Sequence, residues 1–139
     1  MSVSEKLEVE VSAVQDWVDD LVRRLGWHDR ERAYPVLIAT LHALRDSLGR
    51  NEAVYLGAQL PALLRGLYYE GWHPGRRMAA KSRDAFFNRI RDGVHSDPAV
   101  DAEDVARAVL ALLEARLPAA EVEDAKAATP GILHGLWPD

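Results

Sequence analysis

The second half of the chain repeats the residue pattern of the first. An offset of 69 residues lays 17–68 on 86–137 without a gap, and identical residues coincide at Ala33/Ala102, Val36/Val105, Leu41/Leu110, Leu44/Leu113, Leu48/Leu117, Pro61/Pro130, Gly66/Gly135 and Leu67/Leu136. Trp17/Phe86, Leu21/Ile90 and Leu25/Val94 extend the match conservatively. The coincidences fall on apolar, Gly and Pro positions, which a fold needs, and the differences on positions a surface tolerates. Duplication explains that pattern, and a repeat of this length decides the architecture before any element is assigned. It predicts one domain over 1–139, with a first repeat at about 14–70, a connector at 71–82 and a second repeat at about 83–137.

Within each copy the apolar period is helical. Ala33, Val36, Leu37, Thr40, Leu41, Leu44 and Leu48 recur at spacings of three and four, and Ala102, Val105, Ala106, Val109, Leu110, Leu113 and Leu117 repeat the stripe. No segment alternates apolar and polar residues for the length of a strand. The fold class expected is all-α, with eight helices as two tandem four-helix repeats packed about a pseudo-twofold. First helices are placed at about 14–25 and 83–95, the latter capped by Ser82. The second helix of copy two starts at Asp101, and the repeat places its counterpart at Arg32, with Pro35 in the first turn. Asn51 caps the third helix of copy one, and Pro118 opens that of copy two. Pro61 and Pro130 open the fourth helices, and Gly71 suits a left-handed end. Gly66 and Gly135 fall inside helices, where glycine costs ~1 kcal/mol. Both are therefore expected at close helix crossings.

Composition narrows the chemistry. The chain has no cysteine, which excludes disulfides, thiolate zinc sites, iron–sulfur clusters and a cysteine nucleophile. No apolar run reaches the roughly 18 residues of a membrane span, and the start, Met1-Ser2-Val3-Ser4-Glu5, lacks a signal pattern, so a cytoplasmic location is expected. The five histidines form no H-x-x-x-H or H-E-x-x-H arrangement, and His28 with Glu31 reads as a surface cluster. Nucleophile elbows, P-loops and dinucleotide fingerprints are absent, and the serines lie at the terminus or at helix ends. No catalytic residue, metal or cofactor is assigned.

Charge is blocked along the chain. Residues 1–20 sum to −5 and 97–139 to −6, whereas 76–91 sum to +5 through Arg76, Arg77, Lys81, Arg83, Arg89 and Arg91 against Asp84. These six form a candidate anion contact. With no recognition-helix or aromatic-platform signature beside them, pairing with the acidic ends of the same chain is the favoured reading, and nucleic acid the less favoured one.

The most distinctive segment runs from Asn51 to Trp72, NEAVYLGAQLPALLRGLYYEGW. With Trp17, Leu25-Gly26, Asp29-Arg30-Glu31-Arg32-Ala33 and Leu41-His42-Ala43-Leu44-Arg45-Asp46, it resembles the bacterial family called domain of unknown function 2267. The resemblance implies a helical, internally duplicated protein and brings no activity, cofactor or catalytic residue. Comparing the copies is more informative. Glu52 persists as Glu121, which points to support of a helix start by dipole and capping contacts. Asn51, Tyr55, Gln59 and Arg65 become Ala120, Asp124, Ala128 and His134. Tyr55, Gln59, Arg65, Tyr69, Trp72 and His73 are therefore the candidate interaction or ligand surface, since aromatic and arginine side chains anchor protein contacts.

Three function classes follow. The first is a non-enzymatic protein-interaction or regulatory module acting on a protein partner or by self-association, with no membrane partner. The second is a small-ligand sensor with a pocket between the repeats lined by Tyr55, Gln59, Arg65 and Tyr69. The third is a nucleic-acid-associated protein using 76–91. An exposed apolar patch favours the first, a closed cavity with converging polar groups the second, and a continuous basic face the third. The C-terminal Leu136-Trp137-Pro138 is expected to dock on the body.

Overall fold

Capping side chains set four of the eight described helix starts. The structure, a computed structural model, describes residues 1–75 and 82–139. Ser2 and Glu5 form a capping box that opens α1, Val3–Leu25, and Gly26 ends it in the left-handed region at φ 69°. Asp29 accepts from the Glu31 amide and opens α2, Arg30–Ser47. Gly49 precedes α3, Arg50–Ala58, and Pro61 precedes α4, Ala62–Tyr69. Ser82 accepts from the Ala85 amide at the start of α5, Arg83–Gly93, and Asp101 accepts from Glu103 and Asp104 at the start of α6, Ala102–Arg116. Pro118 precedes α7, Ala119–Ala128, and Pro130 precedes a 3₁₀ helix, Gly131–Leu136. The described residues are thus all-helical, with eight helices, of which the last is 3₁₀.

Several boundaries differ from those read along the sequence. α1 begins eleven residues before 14, because the Ser2-x-x-Glu5 box satisfies its orphan amides ahead of any buried residue. α2 begins at Arg30 rather than Arg32, since Asp29 supplies the cap, and this leaves Pro35 inside the helix. Asn51 lies in the first turn of α3; its N-cap is Gly49, with the Glu52 carboxylate folded back 2.5 Å from where a Cβ on Gly49 would stand. Gly71 does take the left-handed conformation, at φ 74°.

One apolar core joins all eight helices. α2 packs on α5 and α6, α1 packs on α6 and α2, and α3 meets α7. Val14, Trp17, Val18 and Leu21 anchor α1, and Leu37, Leu41, Leu44, Val105, Val109 and Leu113 fill the centre. Leu136 and Trp137 are buried, so the C-terminal corner is docked on the body, with Trp137 Nε1 reaching the Thr129 hydroxyl at 3.4 Å.

The expectation for the helical glycines is corrected at Gly66. A Cβ there would meet nothing within 4 Å, so no helix crosses at that point. At Gly135 a Cβ would meet the Arg83 guanidinium rather than a neighbouring helix backbone. The close approaches are elsewhere: a Cβ on Gly93 would stand 2.7 Å from Ala39 Cβ where α5 crosses α2, and one on Gly57 would run into the Tyr69 and Tyr68 rings. Because the helical conformation of Gly66 needs no positive φ and its surroundings are open, Gly66→Ala is expected to stabilise the protein by about 0.5–1 kcal/mol. A denaturant midpoint equal to or below wild type would contradict this.

Candidate functional site

The signature segment folds into α3, α4 and the turn between them, and three of its side chains tie α4 back to α3. Arg65 Nε donates to the Gly57 carbonyl at 3.0 Å, and its Nη2 donates to Leu60 at 2.9 Å and Ala58 at 3.3 Å. One guanidinium thus binds three carbonyls of the turn where α3 ends. Tyr68 is buried and its hydroxyl donates to the Ala53 carbonyl at 2.7 Å. Burial, helped by neighbouring Tyr69 and Asp46, pushes its ionisation well above the ordinary tyrosine value. The Tyr69 hydroxyl donates to Val54 O at 3.2 Å, and Trp72 lies tilted against the Tyr69 ring, with centroids 5.4 Å apart. His73 is exposed beyond α4.

Tyr55 and Gln59 are placed differently. They face a groove of about 280 Å³ between α3 and α7, with Glu52 and Leu56 on the same side and Glu121, Asp124 and Ala125 opposite. Glu52/Glu121, Tyr55/Asp124 and Leu56/Ala125 are pairs related by the 69-residue offset. The structure therefore brings Tyr55 and Gln59 into one groove between the copies and leaves Arg65 and Tyr69 out of it, because their polar atoms are engaged with the backbone of α3.

The described members of the basic block are also engaged. Arg83 Nε donates to Ile132 O at 3.0 Å, Arg89 pairs with Asp46 at 3.2 Å and Arg91 donates to Asn88 at 2.8 Å. Arg76, Arg77 and Lys81 lie outside the described residues. Arg89–Asp46 joins α5 to α2, while Arg116–Asp20, at 2.9 Å, joins α6 to α1 with the signs exchanged. Burial works against the Asp20 carboxylate, but the hydrogen bonds and charges of Arg116 and Arg24 outweigh it and hold its pKa below the ordinary value.

Sequence reasoning missed the most buried charge among the described residues. Arg45 is 2% exposed; its Nε and Nη2 grip the Asp46 carboxylate at 2.8 and 3.2 Å, and Nη1 donates to the carbonyls of Tyr68 at 2.7 Å and Glu70 at 2.9 Å. The signal was available: Arg45 stands four residues after Leu41, on the apolar stripe of α2. One turn earlier, His42 Nε2 lies 2.8 Å from the Leu67 carbonyl, so the neutral ring donates there. Burial, with Arg45 and Arg89 nearby, holds the His42 pKa below 6.5 despite that bond and Asp46. The unfolded chain therefore binds this proton at higher pH than the folded one, and stability falls as pH drops below 6.5 toward the folded-state value. His42→Gln, which keeps a donor, is expected to flatten the fall in melting temperature between pH 7.5 and 5; an unchanged slope would exclude His42 as its source.

Among the described residues no group of three or more His, Asp or Glu is arranged to hold a metal ion, and no helix is long and apolar enough to cross a membrane. No curated protein matches the chain. A family model described as an uncharacterized conserved protein, DUF2267, matches residues 14–136, so that only the first half of α1 and the last three residues lie outside it. With the signature segment building α3 and α4 inside that span, the chain belongs to the DUF2267 family.

Proposed function

We propose that the protein is a non-enzymatic protein-interaction module whose contact face lies on α1 and the groove at its base. The observation that carries this is one apolar stripe with two environments. Val3, Leu7, Val11, Val14, Val18 and Leu21 follow one another at spacings of four and three on a single face of α1. Val14, Val18 and Leu21 are buried, whereas Leu7 is 61% exposed and Val3 72%. The exposed half leads into a groove of about 290 Å³ that Val11 shares with Tyr34 and Leu63, both of which also show substantial surface. Contiguous apolar surface of this kind marks an interaction site. The engaged state of Arg83, Arg89 and Arg91 weighs against a basic face for nucleic acid.

The test is a photo-crosslinking amino acid placed at position 7, with position 92 on α5 as a control, in the intact protein inside its own cells. A discrete protein adduct is expected at 7 that is absent at 92. Equal, diffuse labelling at both positions would contradict the reading.

The same proposal includes the symmetry of the framework: α1 on α6 and α2 on α5, with α2–α6 and α3–α7 contacts between equivalent helices, support two copies related by a pseudo-twofold. A second reading is favoured by the α3–α7 groove, where Tyr55 and three carboxylates suit an organic ammonium ion. Titration with tetramethylammonium is expected under that reading to shift Tyr55 ring resonances, and Tyr55→Leu to abolish binding.

A further inference from the structure

We infer that the occupant of the α1 face is a basic amphipathic helix of a partner protein, an inference that rests on the interaction reading above and adds the partner's chemistry. At ~100° of rotation per residue, Val3, Leu7 and Val11 fall within an arc of ~80°, narrow enough to be the ridge that a single partnering helix covers. The overhang from Val3 to Ala13 is ~16 Å long at 1.5 Å per residue, and the groove at its base prolongs the apolar track over the body. Laying an amphipathic helix along such a track is an established recognition mode.

Charge then selects among occupants. Glu10 and Lys6 lie beside one edge of the stripe and Glu8 beside the other, with Glu5 farther round, so three glutamates stand against one lysine on the overhang. All four are exposed or half-exposed, and neither Glu8 nor Glu10 shares an ion pair with a described residue. At the groove rim Arg30 is committed to Asp19 at 3.1 Å, so the base contributed there is already matched. An acidic-rimmed apolar track repels nucleic acid and an anionic membrane surface, both of which present negative charge. It also repels its own copy, because Glu5, Lys6, Glu8 and Glu10 bring a net −2 from each overhang to such a contact. An apolar helix flanked by Lys and Arg fits, the apolar side chains supplying affinity and the charges selecting the partner.

The experiment uses the full chain and two synthetic helical peptides of about 14 residues, four turns, with the same leucine pattern and either lysine or glutamate at every polar position. Fluorescence anisotropy at physiological salt is expected to show the Leu/Lys peptide binding at least about tenfold more tightly than the Leu/Glu peptide. Leu7→Gln with Val11→Gln, which changes no charge and touches only exposed positions, should weaken Leu/Lys binding about tenfold. Glu8→Gln with Glu10→Gln should narrow the preference for lysine. Equal binding of the two peptides, or Leu/Lys binding indifferent to the Leu7 and Val11 changes, overturns the inference. So does a wild-type dimer that the same glutamine pair dissolves, which gives the face to a second copy. A specific adduct at position 7 together with undiscriminated peptides sinks the partner chemistry alone and leaves the interaction reading standing.

Discussion

Replacing Arg45 with methionine is expected to cost about 3–5 kcal/mol, the range for breaking a buried ion pair from one side. The side chain fills similar volume, so the loss is electrostatic rather than a cavity. The Asp46 carboxylate keeps only Arg89, and the carbonyls of Tyr68 and Glu70 lose the donor that ties the end of α4 to α2. At this chain length the melting temperature should fall by roughly 10–20 °C. Arg45→Lys, which keeps the charge without the forked geometry, should fall between the two. A midpoint within about 1 kcal/mol of wild type for the methionine variant would mean that the cluster contributes nothing net.

Ending the chain at Pro130 is expected to abolish cooperative folding at 25 °C. Leu133, Leu136 and Trp137 are each at most 5% exposed, and burying a large apolar side chain stabilises by about 1.5–3 kcal/mol. Three such losses are comparable with the total stability of an ordinary domain, about 5–15 kcal/mol. Arg83 and Arg107 would lose the Ile132 and Gly135 carbonyls as well. Urea unfolding followed by circular dichroism and by tryptophan fluorescence is the check. A truncated protein with coincident, sharp transitions at the wild-type midpoint would show that the corner is only draped on the body.

These two expectations differ in how far they were visible beforehand. The docking of Leu136 and Trp137 follows from the repeat, because the matching positions Leu67 and Tyr68 continue an apolar pattern that has to be covered. The buried role of Arg45 was not drawn from its register on the α2 stripe, because arginine is usually exposed and its acceptors beyond the adjacent Asp46 are main-chain carbonyls more than twenty residues away. Carbonyls carry no side-chain signature, so neither Arg45 nor Arg65 announced its partners. The same blindness placed Gly66 at a helix crossing. A helical glycine signals that some constraint is possible, but which neighbour approaches depends on how helices from distant segments meet, and here the close contact is Gly93 against Ala39.

The candidate surface divides along similar lines. Tyr55 and Gln59 share a groove, while Arg65 and Tyr69 turn inward to the α3 backbone. The stripe on α1 was written in the residues from Val3 onward, yet reading the helix from 14 hid its exposed half.

By itself the sequence determined the all-helical class, because apolar periodicity and capping residues act over a few turns and are recorded locally, while its self-match carried the 69-residue repetition and its signature segment the resemblance to the family. Tertiary structure alone decided which half of the α1 stripe is covered, which arginines are satisfied internally and where a glycine is sterically required. Each of those outcomes depends on what a distant segment brings within a few ångströms, and local pattern holds no record of that distance.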